Sequence, residues 1–293
     1  MTSAVPNRAP IASGGQLSRL WTLYSLSLRQ HLHGKRWMVM VLLLLLPAGL
    51  ALLIRGTAPD VTSAELEFPL IYLLIPQAFL PLTALIYASG IIQDEQEDQT
   101  ITYLLIRPIP KSAIYIVKLL AALTTTVIIT AIFCVLTYSA IFLGRDSGGV
   151  NVPQRCLQTI GIQSLAMIAY CCVFGLISLI TKRVLIVGIM YIAIVEGLMA
   201  NLPLSIRLLT VIYYARIIAY RTMTFVITSP RGGVTDIAAD AWQLDLRNDP
   251  QMVQHPQTGT CIAILLLGSM VCAVIASILC ATREFYVKTP EKS

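Results

Sequence analysis

The feature that most constrains this chain is a series of apolar runs that are separated by shorter polar connections. The runs cover residues 37–54, 69–92, 119–143, 160–181, 184–202 and 261–281. A helix needs about 20 mostly apolar residues to cross the hydrocarbon core of a bilayer. Because backbone within lipid must satisfy its own hydrogen bonds, each run predicts a spanning helix. The sequence therefore predicts an all-α integral membrane protein with about six transmembrane helices.

The scarcity of charge supports the same class. Only 12% of the 293 residues are charged, whereas a soluble domain typically has about 25%. The net charge of +6 does not indicate a nucleic-acid partner, because the basic residues mostly flank the apolar runs. The seven cysteines include no C-x-x-C pair, so neither a zinc site nor a disulfide framework is predicted.

The distribution of Lys and Arg predicts the orientation in the membrane. Most of the 21 basic residues fall on one side if the N-terminus is cytoplasmic, and such an excess marks the inner face. We therefore expect a single transmembrane domain over residues 1–293 in the cell membrane, multi-pass, with both termini in the cytoplasm.

Residues 203–260 form the connection whose structure is hardest to assign. Residues 204–228 are apolar but are interrupted by Arg207, Arg216 and Arg221. A charge at the bilayer centre costs at least about 2.5 kcal/mol on the insertion scale. We therefore expect an outer interfacial or re-entrant helical pair, whose arginines reach the headgroups, followed by a polar outer loop. The alternative is a further full span, which would place the C-terminus outside.

An amphipathic helix is predicted before the first span, over residues 16–36. Its apolar side chains recur at helical spacing, and basic residues lie beside them. These apolar residues are Leu17, Leu20, Trp21, Tyr24 and Leu28. Such a helix lies in the inner interface, where Trp side chains prefer the headgroup level.

A cytosolic elbow is predicted between the second and third spans, over residues 93–118. The elbow opens with four carboxylates, which we expect to begin a helix because they favour the positive end of its dipole. An apolar ridge follows, and prolines end the helix. The carboxylates are Asp94, Glu95, Glu97 and Asp98, the possible cap is Thr100, the ridge is Ile101, Leu104 and Leu105, and the prolines are Pro108 and Pro110. The other interpretation is a solvated loop whose acids merely keep it out of the bilayer.

The elbow resembles the segment after the second span of type-2 ABC exporter permeases. That family has a glycine, then E-x-E-x-G-T, an L-L pair, P-[IV]-x-[RK] and a lysine that opens the third span. The matching residues here are Gly90, Glu95, Glu97, Thr100, Leu104, Leu105, Pro108, Ile109, Lys111 and Lys118. Gln99 stands where the family has its second glycine. The amphipathic helix, the spacing of the spans and the re-entrant segment are similar to this family as well.

The resemblance implies a function. In the family the elbow is the coupling helix, which contacts a separate ATP-binding subunit, so Glu95, Glu97, Thr100, Leu104, Leu105, Pro108 and Lys111 are the expected contact residues. The chain would form a substrate path with a second permease copy, as a homodimer or heterodimer. ATP and Mg would bind the partner subunit, and no cofactor, metal or catalytic residue is expected on this chain. The string SGGQ at 13–16 resembles a signature of the ATP-binding subunit, but no G-x-x-x-x-G-K-[ST] motif accompanies it.

Two polar residues within the apolar runs are candidates for the substrate path. Gln77 lies in the second run, where it either lines a path or bonds a neighbouring helix, and Glu196 lies in the fifth. An ionisable residue within the membrane indicates a functional site by default, although Glu196 is better interpreted as a structural residue near the interface or paired with an arginine. The alternative functions are a scaffold, assembly or signalling protein that moves no substrate, an intramembrane enzyme, and a secondary transporter. The last two are disfavoured because paired catalytic groups and repeated broken helices are missing.

Overall fold

The computed structural model describes most of the apolar chain and part of its connections. The described residues are 16–33, 36–58, 61–97, 110–144, 151–181, 183–201, 205–223, 225–228, 234–236 and 256–282. The α-helices are α1 (Gln16–His33), α2 (Arg36–Thr57), α3 (Ser63–Glu67), α4 (Leu80–Glu97), α5 (Lys111–Phe142), α6 (Val152–Ile180), α7 (Val184–Tyr191), α8 (Val211–Thr222) and α9 (Thr258–Thr282).

Irregular helices and one small ribbon complete the described structure. π-Helical segments cover Phe68–Phe79 and Ile192–Leu198, and 3-10 segments cover Met199–Asn201 and Ser205–Leu209. Strands β1 (Val226–Thr228) and β2 (Val234–Asp236) pair in antiparallel register, with Ile227 opposite Thr235. Strand β1 lies at the end of the segment 204–228, which was predicted to be helical, and β2 lies in the polar loop predicted after it; the fold class remains all-α.

Among the described residues, five helices are long and apolar enough to cross a bilayer. They cover Arg36–Thr57, Ser63–Ile91, Lys111–Phe142, Val152–Ile180 and Thr258–Thr282. These helices confirm five of the predicted spans. The remaining predicted span, 184–202, corresponds to a shorter apolar helix, Val184–Leu198. That helix is about 22 Å long at 1.5 Å per residue, which is less than the roughly 30 Å of a hydrocarbon core.

The second span is one continuous helix whose middle is wound as a π-helix. It joins α3, the π-helical segment Phe68–Phe79 and α4. Pro69 and Pro76 fall in the π-helical part and Pro81 follows in α4. Because proline has no backbone N–H, each removes a regular hydrogen bond, and a local change of winding accommodates the loss. The helix has many buried side chains, including Ile71 and Ile75 with no exposed surface.

The core lies among the second, third and fourth spans. Its largest fully buried side chains are aromatic, and they include Tyr87, Tyr115, Phe133, Tyr170 and Phe174. By contrast, α2 and α9 leave most of their apolar side chains exposed. Lipid tails are as apolar as these side chains, so a peripheral membrane helix can expose them without a hydrophobic penalty.

The predicted N-terminal amphipathic helix is present as α1. Leu23 and Ser27 are buried against the bundle, whereas the Trp21 side chain is 70% exposed. The Tyr24 hydroxyl donates a hydrogen bond to Thr124 Oγ1 of α5 at 3.1 Å. Helix α1 therefore packs on the third span and directs Trp21 outward, as expected for a helix in the membrane interface.

The bundle has two distinct ends. We call the end at which α4 finishes and α5 begins the elbow end, and the end at which α5 finishes and α6 begins the loop end. His31 of α1 packs against Tyr87 of α4, with ring centroids 5.3 Å apart, and Cys280 of α9 lies 3.6 Å from the Lys111 carbonyl oxygen. Helix α1 and the final turn of α9 therefore both lie at the elbow end.

Candidate functional site

The predicted coupling elbow lies only partly within the described residues. Helix α4 continues to Glu97, so Asp94, Glu95 and Glu97 occupy its last turn. The expectation that these carboxylates begin a new helix is therefore wrong for these three residues. Gln and Glu are strong helix formers, which explains why the helix extends beyond the apolar run that was predicted to end at residue 92. The backbone places these acids at the elbow end of the second span.

The rest of the predicted elbow surface is outside the described residues. This applies to Asp98, Thr100, Leu104, Leu105 and Pro108. The next described residue is Pro110, which is the N-cap of α5 and has an extended backbone with φ −64° and ψ 140°. Lys111 is the first residue of α5. Pro110 therefore precedes the third span directly, whereas the elbow helix that Pro108 and Pro110 were predicted to end lies outside the described residues.

A buried lysine ties the two helices that flank the elbow to each other. Lys118 is only 5% exposed, and its Nζ donates a hydrogen bond to the Ile91 carbonyl oxygen at 3.1 Å. Ile91 lies on α4, and Lys118 lies two turns into α5. A hydrogen bond from a charged donor is worth more than a neutral one. This hydrogen bond therefore joins the second and third spans at the elbow end.

The fourth span packs closely against the same region. A Cβ atom added at Gly175 of α6 would lie 2.7 Å from the Tyr115 hydroxyl of α5 and 3.5 Å from Ile91 Cδ1. Only glycine lets the two helices approach to this distance, as small residues do in many membrane helix pairs. The elbow end is therefore a compact junction of three spans.

Helices α7 and α8 lie one after the other beside the second span. A Cβ at Gly188 of α7 would collide with the Leu85 side chain. An Arg216 guanidinium nitrogen of α8 donates to Gln77 Oε1 at 3.3 Å, and Tyr220 stacks on Phe68 at 6.1 Å. As the residue numbers rise from Gly188 through Arg216 to Tyr220, the numbers of their contact residues on the second span fall from 85 through 77 to 68. Helices α7 and α8 therefore run antiparallel to the second span. Helix α8 has 12 residues, or about 18 Å, and is too short to cross alone. The segment predicted to be re-entrant therefore contains a short helix inserted among the spans.

Glu196 holds the two pieces of this broken helix together. It is fully buried in the π-helical segment after α7. Its Oε1 accepts a hydrogen bond from the Val211 N–H at 3.0 Å, and its Oε2 accepts one from the Ile212 N–H at 3.1 Å. The Tyr191 hydroxyl also donates to Oε1, at 3.3 Å. A carboxylate is stabilised at a helix N-terminus, where N–H groups lack partners within the helix.

Gln77 occupies a different environment from Glu196. It is half-buried and accepts the hydrogen bond from Arg216, which is also half-buried. Arg216 is within electrostatic range of Glu196. Nearby, Gln163 Nε2 of α6 donates to the Ile71 carbonyl oxygen at 3.1 Å. The two candidate path residues thus both lie near Arg216, and Gln77 accepts a hydrogen bond from it.

A buried polar network joins the spans at the loop end. Arg155 Nε of α6 forms an ion pair with Glu67 Oε1 of α3 at 2.6 Å, and the side chains are 13% and 3% exposed. The Tyr138 hydroxyl of α5 donates to the same Glu67 oxygen at 2.7 Å. Tyr138 is also hydrogen-bonded to Thr159 at 2.8 Å, and Thr159 to Tyr72. This loop-end network connects three spans through side chains that are almost fully removed from solvent.

The loop-end network was not predictable from the sequence. Glu67 precedes the second run and Arg155 precedes the fourth, and both flanking charges are ordinary features of membrane proteins. The only available signal was that the two opposite charges fall at the same predicted end of neighbouring spans. That signal does not distinguish a buried pair from two solvated residues.

No group of three or more His, Cys, Asp or Glu side chains that could hold a metal occurs in the part of the chain that the structure describes. The fold is that of a multi-pass helical membrane protein with polar junctions at both ends and a broken helix between them. This architecture defines the class as a multi-pass α-helical membrane protein.

Comparison with known protein families identifies the family to which this chain belongs. A sequence model described as ABC-2 family transporter protein matches residues 32–200, which is more than half of the chain. The chain therefore belongs to the ABC-2 family of transporter proteins and is a permease component of an ABC transporter, as the elbow resemblance implied. The search of curated proteins found no match to the sequence.

Proposed function

We propose that this chain is the transmembrane subunit of an ATP-driven exporter that takes its energy from separate ATP-binding subunits at the elbow end. The ATP and Mg would be bound and used on those subunits, while this chain has no ATPase site of its own. It forms the substrate path together with a second permease copy. Its task is to convert movement at the elbow into opening and closing of the path.

The observation that carries this proposal is the Lys118 hydrogen bond between the bases of two spans. Residues 98–109 connect α4 to α5, and the 3.1 Å contact from Lys118 Nζ to the Ile91 carbonyl oxygen joins these helices at that connection. A partner that displaces the connection therefore moves both helices together. Glu95 and Glu97 on the last turn of α4 supply negative charge to such a contact, and Thr100, Leu104, Leu105, Pro108 and Lys111 are the proposed remaining contact residues.

We propose that Gln77 lines the substrate path and that Glu196 supports the path without lining it. Gln77 and Arg216 are half-buried and hydrogen-bonded, so they can exchange that contact for one with a substrate. Glu196 is fully buried and already accepts two backbone hydrogen bonds. Its proposed role is to position α8, and with it Arg216, rather than to contact a substrate.

Capture of an ATP-binding subunit tests the proposal. A candidate ATP-binding subunit would be co-expressed with the wild type, with Leu104→Asp, and with Glu95→Lys combined with Glu97→Lys. An Asp in a desolvated groove costs several kcal/mol unless it is paired, and a micromolar contact has a total free energy of only about 8 kcal/mol. We expect both variants to lose the subunit on affinity purification and to lose its ATP hydrolysis in nanodiscs.

Leu136→Asn provides a matched control for the general effect of a polar substitution, because Leu136 is an exposed side chain on α5 far from the elbow. That variant should retain the subunit. Wild-type capture and ATP hydrolysis by both elbow variants would contradict the coupling role and favour the alternative, a membrane scaffold that moves no substrate.

A further inference from the structure

A polar cavity opens at the loop end between the start of α6 and the end of α8. Its volume is about 350 Å³, within the usual range for sites that bind small molecules. The first two turns of α6 contribute Asn151, Gln154, Arg155 and Gln158 to its wall, and α8 contributes Tyr220 and Arg221. The cavity lies at the opposite end of the bundle from the elbow, and Gln77 does not line it, so the proposed coupling and path residues leave it unexplained.

The chemistry of the wall favours a negatively charged ligand. Two guanidinium groups and three side-chain amides face one space, and no Asp or Glu lines it among the residues that the structure describes. The wall also includes the N-terminal turn of α6, a helix of 29 residues, where the helix dipole is positive. A guanidinium has five N–H donors in a fixed fork, so a contact with a protein group does not exhaust its capacity to bind an oxyanion.

Arg155 is held in position for such a ligand. Its Nε is fixed on the buried Glu67 carboxylate at 2.6 Å, and its guanidinium carbon lies 5.3 Å from the centre of the Phe225 ring. The ion pair with Glu67 and the contact with the Phe225 ring together restrict the Arg155 side chain. A preorganised donor loses less conformational entropy when it binds a ligand than a mobile surface arginine does.

We infer that the loop-end cavity is a binding site for an oxyanion group, a phosphate or a carboxylate, that is carried either by a soluble molecule or by a lipid headgroup. Arg221 and Arg155 contact the charged oxygens, and Gln158 and Gln154 donate or accept further hydrogen bonds. Because Arg155 also belongs to the loop-end network, the ligand acts on the residue that joins the outer ends of two spans.

Direct binding tests this inference without a transport assay. Purified protein in nanodiscs of phosphatidylcholine would be titrated with inorganic phosphate and with succinate at constant ionic strength, and binding would be followed by calorimetry and by the unfolding temperature. A second set of nanodiscs would contain phosphatidic acid. Arg221→Gln removes one charge, and Arg183→Gln removes one from an exposed residue between α6 and α7, at the opposite end of the bundle.

We expect saturable binding that Arg221→Gln weakens about tenfold or more, as the loss of a charge-assisted hydrogen bond does. Arg183→Gln should bind as the wild type does. Gln158→Leu gives a second variant that alters the cavity without altering net charge, and it should weaken binding as well. Stabilisation by phosphatidic acid alone assigns the site to lipid headgroups, whereas stabilisation by phosphate or succinate assigns it to soluble ligands. Absence of binding in every arm, or equal weakening by Arg221→Gln and Arg183→Gln, would overturn the inference.

Discussion

The buried ion pair between Glu67 and Arg155 offers the sharpest quantitative prediction. Replacing Glu67 with Leu leaves the Arg155 guanidinium, which is 13% exposed, without its carboxylate, and it removes the acceptor of the Tyr138 hydroxyl. Loss of one partner from a buried ion pair typically costs 3–5 kcal/mol. Because Arg155 also borders the loop-end cavity, water can solvate part of its charge. We therefore expect a loss near the lower limit, about 3 kcal/mol.

A double-mutant cycle separates the pair from its surroundings. Arg155→Leu should destabilise by a similar amount, because it leaves the Glu67 carboxylate buried without a counter-ion. The double variant should recover most of the loss, since an apolar replacement of both partners is often nearly neutral. The assay is reversible unfolding in mixed micelles with increasing dodecyl sulfate. Gln154→Leu, an exposed neighbour on α6, should change the free energy of unfolding by about 0.5 kcal/mol or less.

Two results would refute this reasoning. One is a destabilisation below about 1 kcal/mol in both single variants, which is the range of an exposed pair. The other is a double variant whose loss equals the sum of the single losses, because two independent sites are additive whereas paired residues are not.

Three further predictions follow from the structure. Glu196→Gln should lower the unfolding temperature, because the NH₂ group of the glutamine would face a backbone N–H donor. The folded variant should still support normal ATP hydrolysis by its partner, and normal stability with lost hydrolysis would make Glu196 a path residue. Gly175→Ala should lower the unfolding temperature by colliding with the Tyr115 hydroxyl, and Tyr115→Phe in the same chain should restore much of it; failure of this rescue would contradict the close contact. Reporters fused after Ser293 and near Asp245 should report cytoplasm and exterior, respectively, and an exterior Ser293 would overturn the predicted topology.

The spans were predictable from sequence because lipid imposes one dominant requirement on them. About 20 apolar residues with internally satisfied backbone groups have few alternatives to a helix. The predicted run 160–181 corresponds to the longer observed helix Val152–Ile180, which begins well before the run and ends one residue short of it. The helices extend beyond the apolar runs because polar residues at the ends remain good helix formers, as Gln96 and Glu97 are in α4.

The polar contacts were not predictable because they depend on tertiary packing. Arg155 and Glu67 are 88 residues apart, and no local pattern connects them. The arginines of the broken segment suggested that Glu196 could pair with one of them, but its carboxylate accepts hydrogen bonds from the first N–H groups of α8 instead. A helix N-terminus presents positive charge without any basic residue, so it leaves no sign in composition.

We propose that this permease transmits nucleotide-driven movement from the elbow end to the loop end. Double electron–electron resonance in nanodiscs can measure this movement as a change in the distance between two spin labels. The labels would be placed at exposed Thr57 of α2 and at exposed Asn151, the N-cap of α6, in a background without native cysteines. A control pair at Leu157 and Ile180 lies on the single helix α6. In complex with its ATP-binding subunits, the first pair should change its distance distribution between ATP-bound and nucleotide-free states, while the control pair should not. Identical distributions for the first pair in both states, with ATP bound and hydrolysed, would contradict the claim.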